Sequence, residues 1–279
     1  MSFVGESNVY DSRKSDLNFI AFVKSIYHQR NLLALLILAE LRSRYQRSFM
    51  GLLWTLINPI VSSLVLWAVF VSIFKTKLSN DTQFAPYLLA GVLTITFFNQ
   101  GLLQAAESVS SSAKLFLKIR VDPRLFCISN SLSNAVNFFF GILALVLVTF
   151  ISGAEISVFF PLVFFVGLSL TLLTTGFGLI FSILFIRFDD FKYIITILLQ
   201  LLNYLTPVFY PKEMLNPSVR LLVSLNPLSS FLDVFRHVFN GTETATSLDW
   251  TYMFGSSILV FSAGIFLFRR FWASTVVML

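Results

Sequence analysis

Between Glu40 and Phe49 the chain reads ELRSRYQRSF, which sets Arg42, Arg44 and Arg47 within two helical turns of one another, just before a stretch that is apolar from Leu52 to Phe74. A guanidinium is a planar fork that grips phosphate oxygens two at a time, so this spacing suits a phosphate-bearing headgroup. The same cations could simply fix orientation and attract anionic lipid, each worth about 1 kcal/mol at the surface. A second group of residues is neutral: Trp54, Asn58, Ser62 and Trp67 in one apolar stretch, and Gln200, Asn203, Tyr204, Phe209 and Tyr210 in another. Amides and aromatic rings can slide along a ligand made of hydroxyls and CH faces, where charged walls would hold it too tightly. Other chemistry finds no footing. No Ser/His/Asp or Cys/His arrangement is legible, so no catalytic residue is assigned. Cys127 is the single cysteine, His28 and His237 are far apart, and the adjacent acids Asp189 and Asp190 are balanced by Arg187 and Lys192, so no metal site is expected.

Groups of this kind need elements to hold them. The 279 residues are 56% hydrophobic and 12% charged, about half the ~25% charge of soluble domains. Mean hydropathy is +0.81. These values describe a membrane protein, and its apolar segments make it an all-α polytopic one forming a single domain over 1–279. A helix crossing ~30 Å of hydrocarbon needs about 20 apolar residues. Six segments satisfy this, at about 52–74, 86–106, 125–151, 159–186, 193–210 and 252–268. The polar, charge-mixed start of the chain lacks the pattern of a cleaved signal peptide.

Positive loops stay cytoplasmic. Of 20 Lys and Arg, all but Lys75, Lys77, Lys212, Arg220 and Arg236 fall on the side of the two termini, which are therefore expected inside. Residues 1–50 form a cytoplasmic tail and an amphipathic helix in the interface, broken near Asn31, because the runs 19–23 and 32–39 are too short to cross. Glu40 and Arg44, four apart, can pair on one helical face. In the loop 108–124, Lys114, Leu115, Phe116, Lys118, Ile119 and Arg120 read as a short apolar and basic helix limited by Pro123. Between the last two spans, 211–245 contains apolar pieces too short to cross. They read as two short re-entrant helices split at Asn226-Pro227, with Asp233 and Arg236 three apart and able to satisfy each other. Thr171, Thr174, Thr175, Gly176 and Gly178 in the fourth span suit close helix packing.

Three blocks carry a resemblance. AELRSRYQRSFMGLLWTLINPI resembles the opening of the ABC-2 type permeases that export polysaccharides and polyol phosphates, with Arg44, Tyr45, Ser48, Gly51, Trp54 and Pro59 matching and Met50 in place of leucine. LFLKIRVDPRLFCIS is similar to that family's cytoplasmic loop ending in aromatic-Pro-Arg, with Asp122 where the aromatic stands. YLTPVFYPKEML with LNPLSSFLDVFRHVFN resembles the segment after its fifth span. The resemblance implies an inner-membrane subunit, in a bacterium or archaeon, that pairs with a second copy of itself and with two P-loop ATPase subunits. It would pass a polyprenyl-linked glycan or polyol-phosphate polymer outward among membrane lipids. On that reading 114–120 is a coupling helix and Asn226, Pro227, Asp233 and Arg236 belong to an exit gate. The chain has no G-x-x-x-x-G-K-[ST], so ATP and Mg would bind the partner ATPase and no cofactor this chain. No nucleic acid partner is expected. A small-drug or lipid exporter of the same fold would prefer a smoother apolar path, and an integral membrane transferase would need clustered acids or histidines.

Overall fold

The computed structural model describes residues 26–46, 51, 53–74, 84–116, 121–210, 212–241 and 244–276. Residues 26–28 are helical and a turn at Gln29 separates them from α1, Arg30–Tyr45, so the interruption falls two residues before Asn31. The chain continues through α2 (Leu53–Phe74), α3 (Phe84–Ser111), a single turn α4 (Ala113–Phe116) and α5 (Arg124–Ser152). A 3-10 turn at Phe160–Leu162 leads into α6 (Val163–Arg187), followed by α7 (Phe191–Leu205), α8 (Pro217–Leu225), α9 (Pro227–Asn240) and α10 (Ser247–Thr275). No strand occurs among the described residues.

The helix ends have local causes. Asp122 starts α5: its carboxylate accepts from the Arg124 backbone N–H at 3.0 Å and from Arg124 Nε at 2.9 Å. Both side chains are buried, so the Asp122 found where an aromatic was expected serves as counter-ion to Arg124. Gly153 and Gly241, each at φ 70, close α5 and α9 in the left-handed conformation that glycine adopts without strain. Thr246 and Asp249 form a reciprocal cap that starts α10 five residues ahead of the expected 252.

Among the described residues, four helices are long and apolar enough to cross a membrane: Phe84–Ser111, Arg124–Ser152, Phe160–Arg187 and Ser247–Thr275. Helix α2 has 22 residues. The expected fifth span, 193–210, is shorter than its apolar run. Helix α7 has 15 residues, roughly 22 Å, because Thr206 precedes Pro207 and is extended, and the helix cannot continue through that pair. Phe209 and Tyr210 therefore lie in an irregular segment rather than on a helix.

Helices α3, α5 and α6 pack together with α9 around the main core, in which Leu89, Phe138, Leu170, Phe231 and Phe235 are buried. A second cluster joins Leu33 of α1 to Val109, Leu125, Ile183 and Phe268, so α1 is seated on one end of the bundle. The tightest approach is between α6 and α10. A Cβ on Gly264 would lie 2.5 Å from the Gly176 carbonyl oxygen, and one on Gly176 would lie 2.7 Å from the Phe261 backbone. Gly178 meets Ala105 of α3 in the same way, at 2.6 Å. The small residues of the fourth span thus let two neighbours approach at once.

Candidate functional site

Two ladders of polar side chains face each other across α3 and α5. On α3, Thr96, Gln100 and Gln104 recur every four residues; on α5, Asn130, Asn134 and Asn137 stand at i, i+4 and i+7, which places each set on one helical face. Amides in an apolar span must pair or meet water. Here they do both. Asn134 Nδ2 donates to the Phe97 carbonyl at 3.0 Å, and the space beside it opens into a cavity of about 380 Å³.

The cavity is bounded by Arg44 of α1, Trp54 and Asn58 of α2, Leu93, Thr96, Phe97, Gln100 and Gln104 of α3, and Asn134, Asn137 and Phe138 of α5. Arg44 closes one end. Its Nη2 donates to Gln104 Oε1 at 2.5 Å and to Asn130 Oδ1 at 3.5 Å, while Nε and Nη2 both reach Glu40 Oε1 at 3.3 Å. The expected Glu40–Arg44 pair is thus present, and it is extended by amides from two other helices. Chemically this is a neutral, hydroxyl-friendly chamber with aromatic surface and a compensated cation.

The structure distributes the sequence candidates unevenly. Arg44, Trp54 and Asn58 come together in the cavity. The Arg42 side chain is exposed on α1 and makes no hydrogen bond or ion pair among the described residues. Ser62 lies one helical turn beyond Asn58 and does not line the cavity. Gln200 and Tyr204 are exposed on α7, and Asn203 Oδ1 accepts from Asn99 Nδ2 at 2.7 Å, tying α7 to α3 away from the cavity. Phe209 packs against Phe84, Tyr87 and Leu88. The Tyr210 hydroxyl donates to the Tyr204 carbonyl at 2.8 Å. Leu115 is exposed on the single turn α4. Arg47, Lys118, Ile119 and Arg120 lie outside the described residues, as do the side chains of Trp67, Lys114 and Phe116. Nearby, Lys192 at the start of α7 pairs with Glu107 at 2.5 Å, and the carboxylate pushes the ammonium pKa above its ordinary value.

The segment expected at the exit is held by different partners from those the spacing suggested. Asn226 Oδ1 accepts from the Leu228 N–H at 3.0 Å and its Nδ2 donates to Thr206 Oγ1 at 2.9 Å, so one residue caps α9 and ties it to the end of α7. Pro227 follows as the first residue of α9. Asp233 pairs with Lys212 rather than with Arg236. Arg236 is 1% exposed and reaches the Pro207 and Val208 carbonyls at 3.0 Å and the Tyr87 carbonyl at 3.3 Å, with its guanidinium 3.4 Å from the Tyr87 ring centroid.

A family model described as ABC-2 type transporter matches residues 31–240. The chain belongs to the ABC-2 type transporter family. It is 29% identical over 225 residues to the O-antigen export system permease protein RfbA of Myxococcus xanthus, covering 79% of this chain and 84% of that one. Identity to the protein of the same description from Klebsiella pneumoniae is 24% over 241 residues, 85% of this chain and 91% of the relative. The polysialic acid transport protein KpsM of Escherichia coli is 23% identical over 236 residues, 84% and 91% of the two chains. The residues matched by the family model, 31–240, span α1 through α9, the elements that build the cavity and hold Arg236. Sequence reading missed Gln100, Gln104, Asn134 and Asn137 as cavity residues; their helical spacing in two apolar spans was the available signal.

Proposed function

We propose that this chain is the transmembrane permease subunit of an ATP-driven exporter that moves a lipid-linked polysaccharide across the cytoplasmic membrane. The observation that carries the reading is the amide-lined cavity between α1, α2, α3 and α5, closed by Arg44. A hydroxyl-rich polymer needs many exchangeable hydrogen-bond partners, and a drug- or lipid-sized apolar cargo does not. The names of the relatives, an O-antigen export system permease and a polysialic acid transport protein, point the same way. In this reading the chain crosses the membrane six times with both termini cytoplasmic. It works with a second copy of itself and with two P-loop ATPase subunits that bind ATP and Mg. Arg42 and Arg47 meet the substrate headgroup, while Arg44, held by Glu40, Gln104 and Asn130, walls the cavity. Helices α8 and α9 form the outer gate.

Replacing Gln104 and Asn134 together by leucine removes two amides from the wall without adding charge. Export of the host's surface polymer should fall at least about tenfold while the protein stays in the membrane, since each lost polar contact is worth about 1 kcal/mol. Export at the unmodified rate in cells carrying normal amounts of the doubly substituted chain would remove the cavity from the pathway. The coupling contact has its own test. Leucine 115 is an exposed apolar side chain on a cytoplasmic turn, and Leu115→Asp should cut the amount of ATPase that co-purifies by about tenfold, as loss of an interface anchor does.

A further inference from the structure

The cavity's electrostatics distinguish between two classes of polymer that the transport reading leaves together, sugars without charge and anionic chains. Among the described residues lining it there is one ionisable side chain, Arg44, and its guanidinium already faces the Glu40 carboxylate. The remaining polar lining is neutral: hydroxyl and amide groups from Thr96, Gln100, Asn134 and Asn58. An anion entering here would compete with Glu40 for Arg44, and every contact it won would leave Glu40 without its partner, so the net electrostatic gain is small. A sugar hydroxyl meets no such competition. Amide groups donate and accept, as hydroxyls do, and the exposed Trp54 ring offers a face for the CH side of a pyranose. At about 380 Å³ the cavity is at the small end of the ~300–1,000 Å³ range of small-molecule sites, the size for a short saccharide and not for a folded polymer.

We infer that this cavity is a binding site for an uncharged sugar unit of the exported chain, and that the Glu40–Arg44 pair makes it reject anionic units such as sialic acid or glycerol phosphate. The inference rests on the transport reading for its biological meaning, but it concerns the chain's own binding preference and is tested without transport. Arg44 acts here as a neutralised wall, and Glu40 as the residue that sets charge selectivity.

The full-length chain, purified with its membrane partners in lipid nanodiscs, is titrated with neutral methyl glycosides of glucose, galactose, mannose and rhamnose, and with N-acetylneuraminic acid and glycerol 3-phosphate. Saturation-transfer NMR and tryptophan fluorescence report binding. At least one neutral glycoside should saturate the protein, with affinity reduced about tenfold by Asn134→Leu, and neither anion should bind in the same range. Glu40→Gln leaves Arg44 uncompensated, and this variant should acquire binding of glycerol 3-phosphate that weakens as salt is raised. Binding of either anion to the unmodified protein more tightly than any neutral glycoside overturns the inference. So does the failure of every neutral glycoside to bind, or a Glu40→Gln variant that still ignores the anions. The transport reading fails separately, when loss of the chain leaves polymer export intact.

Discussion

Gly264→Leu should prevent stable assembly of the bundle, with the chain losing about 3 kcal/mol or more. A β-carbon at position 264 would sit 2.5 Å from the Gly176 carbonyl oxygen, and that neighbour is backbone, which cannot swing aside as a side chain can. Helices α6 and α10 would have to move apart along their whole contact. In a membrane, lipid tails replace lost apolar contacts, so close van der Waals packing carries the association and its loss is not recovered elsewhere. Overpacking a tight interface costs roughly 1–3 kcal/mol, more where backbone must shift. The same helix supplies the control. A Cβ on Gly255 meets nothing within 4 Å, so Gly255→Leu should leave stability unchanged or raise it by up to about 1 kcal/mol through better helix propensity. Thermal unfolding of the two variants in detergent, followed by retention of monodisperse protein, checks the contrast. A Gly264→Leu chain as stable as the Gly255→Leu chain would show that α6 and α10 do not pack as described.

Arg236→Met should destabilise the protein by about 3 kcal/mol and loosen the outer segment selectively. The guanidinium is fully buried and is the donor for two carbonyls, of Pro207 and Val208, that lie in the irregular stretch after α7 and outside any helical ladder. Hydrogen bonds to a charged partner contribute about 1.5–3 kcal/mol each, and buried acceptors left without donors cost further. The Tyr87 ring 3.4 Å beneath the cation adds a contact that methionine replaces poorly. Gly91 leaves room for this arrangement, because a Cβ there would stand 2.9 Å from Arg236 Nη2. Arg236→Lys should recover little, since one ammonium cannot span carbonyls on both sides as the planar fork does. The exposed Arg220 is the matched control, and Arg220→Met should change stability by less than about 0.5 kcal/mol. Amide hydrogen exchange would locate the effect, with faster exchange over 206–210 and α9 in Arg236→Met and native exchange across α5 and α6.

Hydropathy was enough to place α2, α5 and α6 within a few residues of their observed limits, because each is one long apolar run bounded by charge or turn residues, but it ended α3 five residues early, where the helix continues through the polar 107–111. It misjudged α7, where the apolar run continues through Pro207 but the helix cannot. Asn226-Pro227 marked the boundary between α8 and α9 because asparagine caps and proline starts a helix, both local effects. From its spacing Arg236 was expected to pair with Asp233 in the outer segment. Its burial depends on Tyr87, Pro207 and Val208, which lie up to 149 positions away in sequence and leave no mark near position 236. Gly176 was legible as a packing residue, but its partner Gly264 was not, since which helices meet is a tertiary fact.

The candidate site divides in the same way. Arg44, Trp54 and Asn58 stood out because they sit at the junction between a charged run and an apolar one, and all three border the cavity. Gln200 and Tyr204 stood out for the same composition but are exposed on α7. The two amide ladders of α3 and α5 were visible as periodic polar residues within apolar spans. Their significance emerges only when the helices are brought side by side, where isolated polar positions become a continuous wall.

The proposed outward passage of a lipid-linked polysaccharide through this ABC-2 chain is tested most directly by deleting its gene in the host and following newly made surface polymer by metabolic sugar labelling. The expected result is labelled, lipid-linked polymer accumulating inside the cell with almost none at the surface, and recovery of surface polymer when the chain is supplied again. Undiminished surface polymer in the deletion strain, with no intracellular accumulation, would contradict the account.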